Sequence, residues 1–568
     1  MKLRACALVL MVLWPMKSSA QEKVDLAAIH RIKREAFQGS KVMDHLFFLT
    51  DRNGPRLTGS PGFTAAAEWS VRSLQSWGIA TARTEPWGTF GRGWEVTRFA
   101  AHLREPAYAP LYGVPKAWSG GMSGPVTAPV IAAPLFTADE HKRQDDYDIP
   151  TLKTRIARYV TEQKGKLRGT IVLIDALPEP DEPAEPVGER YDATKLAAIA
   201  RFPDLFSPPS FEYPLPGLPA DEREREHLLQ ILPDEVGEDY YIRWIKTRDS
   251  LNAFLSDEGV VAVLSSDARG NGGIVFATTA GSWESGAPTP PPVVALPPEE
   301  YGRLARLARK AIPARVELDV EVRFYDDHPR GVNVLADLPG GRKKDEVVML
   351  GAHLDSWHGG TGATDNAAGC AVVLEAMRIL KALDLKMDRT VRLALWGGEE
   401  QGLFGSRGYV RAHFGDPVSM ALGPEHGRLS GYFNVDNGTG RIRGLYLQGN
   451  DMVRPIFEAW LEPFKDLGAT TLSIADTTDT DHVSFDGVGL PGFQFIQDPL
   501  DYETRTHHSN LDVYDHVQPG DLMQASAILA SFAYNAATRP DLLPRKPLPP
   551  PLPRRKEASR SPGDPPPT

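Results

Sequence analysis

The chain has 568 residues, more than one ordinary core needs and enough for two or three domains with large apolar interiors. Its 42% hydrophobic and 24% charged residues are globular values, which excludes wholesale disorder. The formal charge is −11, and neither half carries the sustained Lys/Arg stripe that counterion release on a phosphate backbone requires, so no nucleic-acid partner is expected.

Lys2 and Arg4 precede an apolar run from Ala5 to Pro15, and small residues end the segment at Ala20. The run is too short to span a bilayer and fits a cleavable signal over residues 1–20. The mature chain is then expected to begin near Gln21, to be secreted or periplasmic, and to have no integral membrane span. Cys6 lies inside the run, not at its end as a lipid anchor would require, and leaves with it. Cys370 is then the sole cysteine, so no intramolecular disulfide can form and stability must come from core burial.

Residues 21–110 open the folded part. Helix-like spacing from Val42 to Gly78 is interrupted by a turn-rich insert, Asn53 to Gly62, in which Ser60 and Pro61 predict an N-cap and first turn of a helix running towards Trp77. Residues 111–316 change to short β-like runs at Val126–Ala132, Thr170–Asp175, Val260–Ser265 and Pro292–Leu296, the texture of an inserted β-rich module. Within it, 177–257 is rich in Pro, Asp, Glu and Arg, with a helical stretch near Asp221–Leu232. It reads as a solvated insertion, with a lid over an active site as the alternative.

Residues 317–540 repeat strand, loop and helix. Strands are predicted at Val347–Leu350, Val391–Trp396, Gly431–Val435 and Phe493–Ile496, and helices at Ala367–Leu383 and Asp521–Tyr534. The alternation predicts an α/β fold with a mainly parallel sheet and helices on both faces. The Pro-rich tail, 541–568, has no core-forming pattern and reads as an extended, flexible end.

In an open α/β sheet, ligands bind beyond the carboxyl ends of the strands. His353, Asp355 and Asp365 follow the first of the four predicted strands, Glu399 and Glu400 the second, Asp436 the third, and His507 and His508 the fourth. Each alone has a bland reading: a surface pair, a solvated turn, a cap. Together, at successive strand ends, they form a mixed N and O donor set that suits zinc, with cobalt or manganese as substitutes; calcium would not need histidine.

The stretches Gly351 to Trp357, Thr364 to Gly369, Trp396 to Gly402 and His507 to Asp512 resemble the M28 zinc exopeptidases, and among these the carboxypeptidase Q branch. The Gly54-Pro55-Arg56-Leu57-Thr58-Gly59-Ser60 segment and the twelve-residue step from His353 to Asp365 point to the same branch. The resemblance implies a zinc-exopeptidase (phosphorylase/hydrolase-like) mixed sheet with an inserted protease-associated (PA) domain. It also implies two zinc ions per chain, with His353 and Asp436 on one, Glu400 and His508 on the other, and Asp365 bridging them. Asp355 would order His353 through its carboxylate, and Glu399 would be the general base.

His508 matches the His-Ser/Thr-x-x-Asp pattern with Ser509 and Asp512, although Val513 stands where many relatives have Thr. His507 is open between oxyanion donor and packing neighbour, His482 has little weight as a ligand, and Cys370 reads as core. Asn437-Gly438-Thr439 is a formal glycosylation sequon that abuts a ligand. The expected substrate is a short peptide or dipeptide attacked near a free amino terminus, and a homodimer is one assembly this reading allows. Two alternatives stay open: a single-zinc glutaminyl cyclase-like acyl transferase, which would not need both ligand sets, and a non-catalytic receptor, which would not need Glu399.

Overall fold

The computed structural model describes residues 22–137, 139–140, 147–176, 186–201, 211–219, 224–225, 228–229, 232–267, 269–326 and 330–553. The signal-like segment 1–20 lies outside them. Among the described residues, no helix is long and apolar enough to cross a membrane.

Two eight-stranded sheets organise the chain. The first runs in the order Arg83–Thr89, Arg330–Leu338, Arg389–Trp396, Lys343–His353, Leu429–Asn434, Gly492–Gln497, Ile442–Tyr446, Thr471–Ser473. Its four central strands, Arg389–Trp396 to Gly492–Gln497, are mutually parallel, and antiparallel pairs flank them. The pleat sends alternate residues to opposite faces. Val348, Leu350, Leu393, Leu395 and Phe433 pack with the helices Leu26–Gln38, Ala368–Ala382 and Pro519–Thr538. Met349, Ala394, Trp396 and Tyr432 meet Tyr409 and Phe414, in and just after the helix Phe404–His413, and Phe485 of the helix His482–Asp486. Ala368–Ala382 and Pro519–Thr538 are buried on nearly every side, which their almost continuous apolar and small residues allow. The helix Pro61–Ser76 forms as its sequence predicts, with the Ser60 hydroxyl accepting the Phe63 N–H.

Register brings the chemistry to one edge. His353 lies opposite Trp396, Gly351 opposite Asn434, and Asn434 opposite Gln494, so all four central strands end together.

The second sheet runs Ala109–Pro110, Gly93–Glu105, Arg315–Tyr325, Val126–Ala132, Ile171–Leu173, Ala262–Ser265, Val293–Ala295, Val114–Pro115 and has its own apolar interior. It is wider than 111–316, because Gly93–Glu105 and Arg315–Tyr325 pair antiparallel along their length and belong to it. Their charged residues, which make the ion pairs Arg98–Asp319 and Arg104–Glu317, hide this strand pairing from a hydrophobicity reading.

Two further expectations need correction. The stretch near Asp221–Leu232 falls largely outside the described residues, and the helix Asp234–Thr247 just beyond it is not simply solvated. Its stripe Val236, Tyr240 and Ile245 is buried, and Ile245 packs in an aromatic cluster with Trp357. The tail is held as far as residue 553. Arg545 donates to the carbonyls of His426 and Leu429, Asn450 donates to that of Pro544, and Lys546 pairs with Asp486 at 2.8 Å. A Pro-rich extended segment makes no internal hydrogen bonds, so the Pro544 carbonyl stays available to Asn450 while Arg545 and Lys546 reach outward from the same segment. Residues 554–568 lie outside the described part.

Candidate metal centre

At the shared strand edge the His353 Nε2 lies 3.1 Å from Asp365 Oδ1 and 3.3 Å from Asp436 Oδ1. The His508 Nε2 lies 3.1 Å from Glu400 Oε2 and 3.3 Å from Asp365 Oδ2. Asp365 therefore offers one oxygen to each imidazole. Glu399 Oε2 is 3.9 Å from His353 Nε2. Among the described residues, three sets of possible ligand atoms converge: His353, Asp365 and Glu400; His353, Glu399 and Asp436; Asp365, His507 and His508.

These donors fit zinc. Ligand atoms 3.1–3.3 Å apart have the spacing that a tetrahedral ion with bonds of about 2.0–2.1 Å imposes on its neighbours. The charge balance also favours cations, since four carboxylates, those of Asp365, Glu399, Glu400 and Asp436, converge with the imidazoles of His353, His507 and His508 among the described residues. Burial alone would discharge these groups, yet Asp436 and Glu399 lift His353 well above the usual histidine range. Burial likewise opposes charge on His508, but Glu400 and Asp365 raise it to about 10. Burial would raise Asp365, and the two histidines hold it well below the carboxylate norm. Glu399 is pushed well up by burial and by Asp436, Asp481 and Glu400, against the pull of His353.

The surroundings fix each donor. His353 Nδ1 contacts the backbone carbonyl of Asp355 at 3.0 Å, which turns Nε2 towards the carboxylates. The Asp355 carboxylate stands beside the same ring, 3.7 Å from Nδ1, and helps to raise the pKa of His353; it also accepts the backbone N–H of Glu399 (3.2 Å), that of Glu400 (3.3 Å) and the Thr58 hydroxyl (2.9 Å). It shapes the loop that carries the two glutamates. Glu400 Oε1 accepts the Trp357 N–H at 3.2 Å.

Further residues support these donors from one contact behind. Thr480 donates to Asp436 Oδ2 and accepts from Asn434, while Gln494 donates to the Asp436 carbonyl. Asp512 accepts both the N–H and the hydroxyl of Thr364, next to Asp365. Arg56 is fully buried and donates from its side chain to the carbonyls of Leu49, Leu354, Thr361 and Gly362.

His482 lies outside the three converging sets. It faces the Thr477 carbonyl at 3.0 Å, and burial pushes its pKa down to about 3. His507 stacks on Tyr502 and His508, with Nε2 3.8 Å from Asp365 Oδ2. Cys370 is core: its thiol donates to the His353 carbonyl, and burial pushes its pKa up to about 12. Asn437 is engaged with the Phe495 carbonyl.

Residues 333–533 match the model of Peptidase family M28. Carboxypeptidase Q from Bos taurus is 31% identical over 255 residues, 45% of this chain and 51% of that protein. Aminopeptidase YwaD from Bacillus subtilis is 30% identical over 207 residues, 35% of this chain and 43% of its own length. The chain thus spans about half the length of the curated relatives it matches. In structure it resembles a peptidase M28 precursor from Shewanella amazonensis, with a TM-score of 0.61 at 22% identity over 92% of this chain and 98% of that one. It also resembles BSAP, described as a zinc aminopeptidase from Bacillus subtilis, with a TM-score of 0.50 at 20% identity over 88% and 94%. These likenesses bear on the fold. Every candidate metal ligand described above, from His353 to His508, falls inside the segment 333–533, and that segment is the part of the chain that matches Peptidase family M28.

Proposed function

We propose that the protein is a secreted or periplasmic dizinc exopeptidase that removes residues from the amino end of short peptides or dipeptides. The observation that carries this reading is Asp365, whose two oxygens each face a different imidazole. A carboxylate placed between two imidazoles could serve two ions, which favours the dinuclear peptidase over a single-zinc acyl transferase.

His353, Asp365, Asp436, Glu400 and His508 would hold zinc, and zinc held there would supply Lewis acidity towards a carbonyl and a water. Glu399 takes the proton from the attacking water and passes it to the leaving amine. It can do so because it stands farther from His353 than Asp365 and Asp436 do, and because Asp355 holds its backbone N–H, leaving the carboxylate turned into the site. Glu400, next in the same loop, faces His508 instead. Trp357 packs against the His508 ring and screens it on one side. The inserted second sheet reads as a PA-like module walling the substrate cleft.

Purified protein is expected to carry close to two zinc ions, to lose activity to a chelator and to recover it with zinc or cobalt. Metal analysis beside turnover checks this, and full peptidase activity in metal-free protein would sink the reading. A peptide panel with the amino terminus, the carboxyl terminus or neither blocked tests the chain-end preference. Acetylating the amino terminus should lower kcat/KM about 10- to 100-fold, the effect of losing a charged hydrogen bond worth about 1.5–3 kcal/mol. Internal fragments of casein as first products would show that the enzyme is not an exopeptidase.

A further inference from the structure

The two halves of the centre are supported differently. The contacts found on His353 and Asp436 come from the first sheet and its loops: the Asp355 carbonyl, Thr480 and Gln494. His508 is held across the molecule. Its carbonyl accepts the N–H of Ala277 at 3.1 Å, Ser509 forms a β-bridge with Phe276, and the Asn510 N–H donates to the Val275 carbonyl at 3.0 Å. The Asn510 side chain completes the contact: Oδ1 accepts the Val275 N–H at 2.7 Å, and Nδ2 faces the Gly273 carbonyl at 3.3 Å and the Tyr112 hydroxyl at 3.4 Å. Val275 and Ala277 are anchored in turn, buried with Val114 and Ala295 of the second sheet.

His508 has a φ of +62°, a left-handed backbone that a residue with a side chain keeps only when its surroundings enforce it. The strand-like pairing with residues 275–277 supplies that enforcement. Removing it frees the backbone that aims the imidazole at Glu400 and Asp365.

We propose that the second-sheet module is a working part of the metal centre. Its segment 275–277 holds the His508 loop in the conformation that the Glu400–His508 subsite needs, and Asn510 is the positioning residue. That subsite gains or loses zinc with the docking of the module, whereas the His353–Asp436 subsite does not depend on it. This rests on the dinuclear reading, and the two fail separately: a wild-type protein that binds only one zinc sinks the dinuclear reading before any variant is made.

The test is a zinc titration of the metal-free full chain against a competing chelator, on wild type, Asn510→Ala and Asn510→Asp, with the cobalt absorption spectrum recorded at each equivalent. In Asn510→Ala the second equivalent should bind about 10- to 100-fold more weakly and the first within about twofold of wild type. Asn510→Asp keeps an acceptor for the Val275 N–H and should recover most of the loss. Unchanged binding of the second equivalent, or equal weakening of both, overturns the proposal. If Asn510→Ala does not fold, hydrogen exchange on wild type decides. Protection of residues 273–279 should rise with the second equivalent of zinc, and a rise that comes with the first, or none, overturns it.

Discussion

Replacement of Glu399 by Gln is expected to leave both zinc ions bound while turnover falls by about two to four orders of magnitude. Gln keeps the shape of Glu and cannot accept the proton. The loop should hold its course, because Asp355 grips the backbone N–H groups of residues 399 and 400, not their side chains. Replacement of Glu400 by Gln should do the opposite. Its Oε2 faces His508 and its Oε1 takes the Trp357 N–H, so the variant weakens a donor and should bind less than two zinc ions. Metal content and turnover measured on both variants separate base from ligand. Loss of zinc from Glu399→Gln with retention in Glu400→Gln would exchange the two roles, and near-normal turnover in Glu399→Gln would end the mechanism.

The largest effect on stability is expected at Arg56. Arg56→Met fills much of the volume and leaves the carbonyls of Leu49, Leu354, Thr361 and Gly362 without their donor. Unsatisfied buried acceptors cost about 1–3 kcal/mol each before relaxation, so a net loss of about 3–5 kcal/mol is expected. Leu354 follows His353 and Gly362 lies three residues before Asp365, so zinc affinity should fall too. Arg56→Lys keeps the charge without the planar fork and should be only partly rescued. Thermal melts with and without zinc check this. A Met variant that melts within a degree or two of wild type would remove Arg56 as the support of these loops.

The strand ends were legible in the sequence because buried parallel strands leave continuous apolar runs, and the residues just past them are few. His353, Glu400, Asp436 and His508 could therefore be placed at one edge before any coordinates, and the geometry brings them together there. What lies one contact further out was not legible. The Gly54-Pro55-Arg56 segment stood out as a resemblance, with nothing in its spacing to say that Arg56 crosses to loops some 300 residues away. The carboxylate of Asp355 reads from sequence as a partner for the imidazole beside it, and only loop geometry shows that it also holds the backbone of the two glutamates. The held tail was hidden for a related reason: an extended Pro-rich segment docks through the Pro544 carbonyl and the Arg545 and Lys546 side chains, none of which leaves a trace in a hydrophobic pattern.

The pairing of Gly93–Glu105 with Arg315–Tyr325 has a consequence for how the two sheets are joined. Thr89 lies opposite Arg330 in the first sheet and Gly93 opposite Tyr325 in the second, so the departing and returning strands run side by side from one sheet into the other. The two crossings therefore sit together at the rim of the first sheet, where a second module can be joined without stretching that sheet. Residues 275–277 pair with the loop of residues 508–510 as well, so the two sheets are tied at a second place far along the chain from that rim.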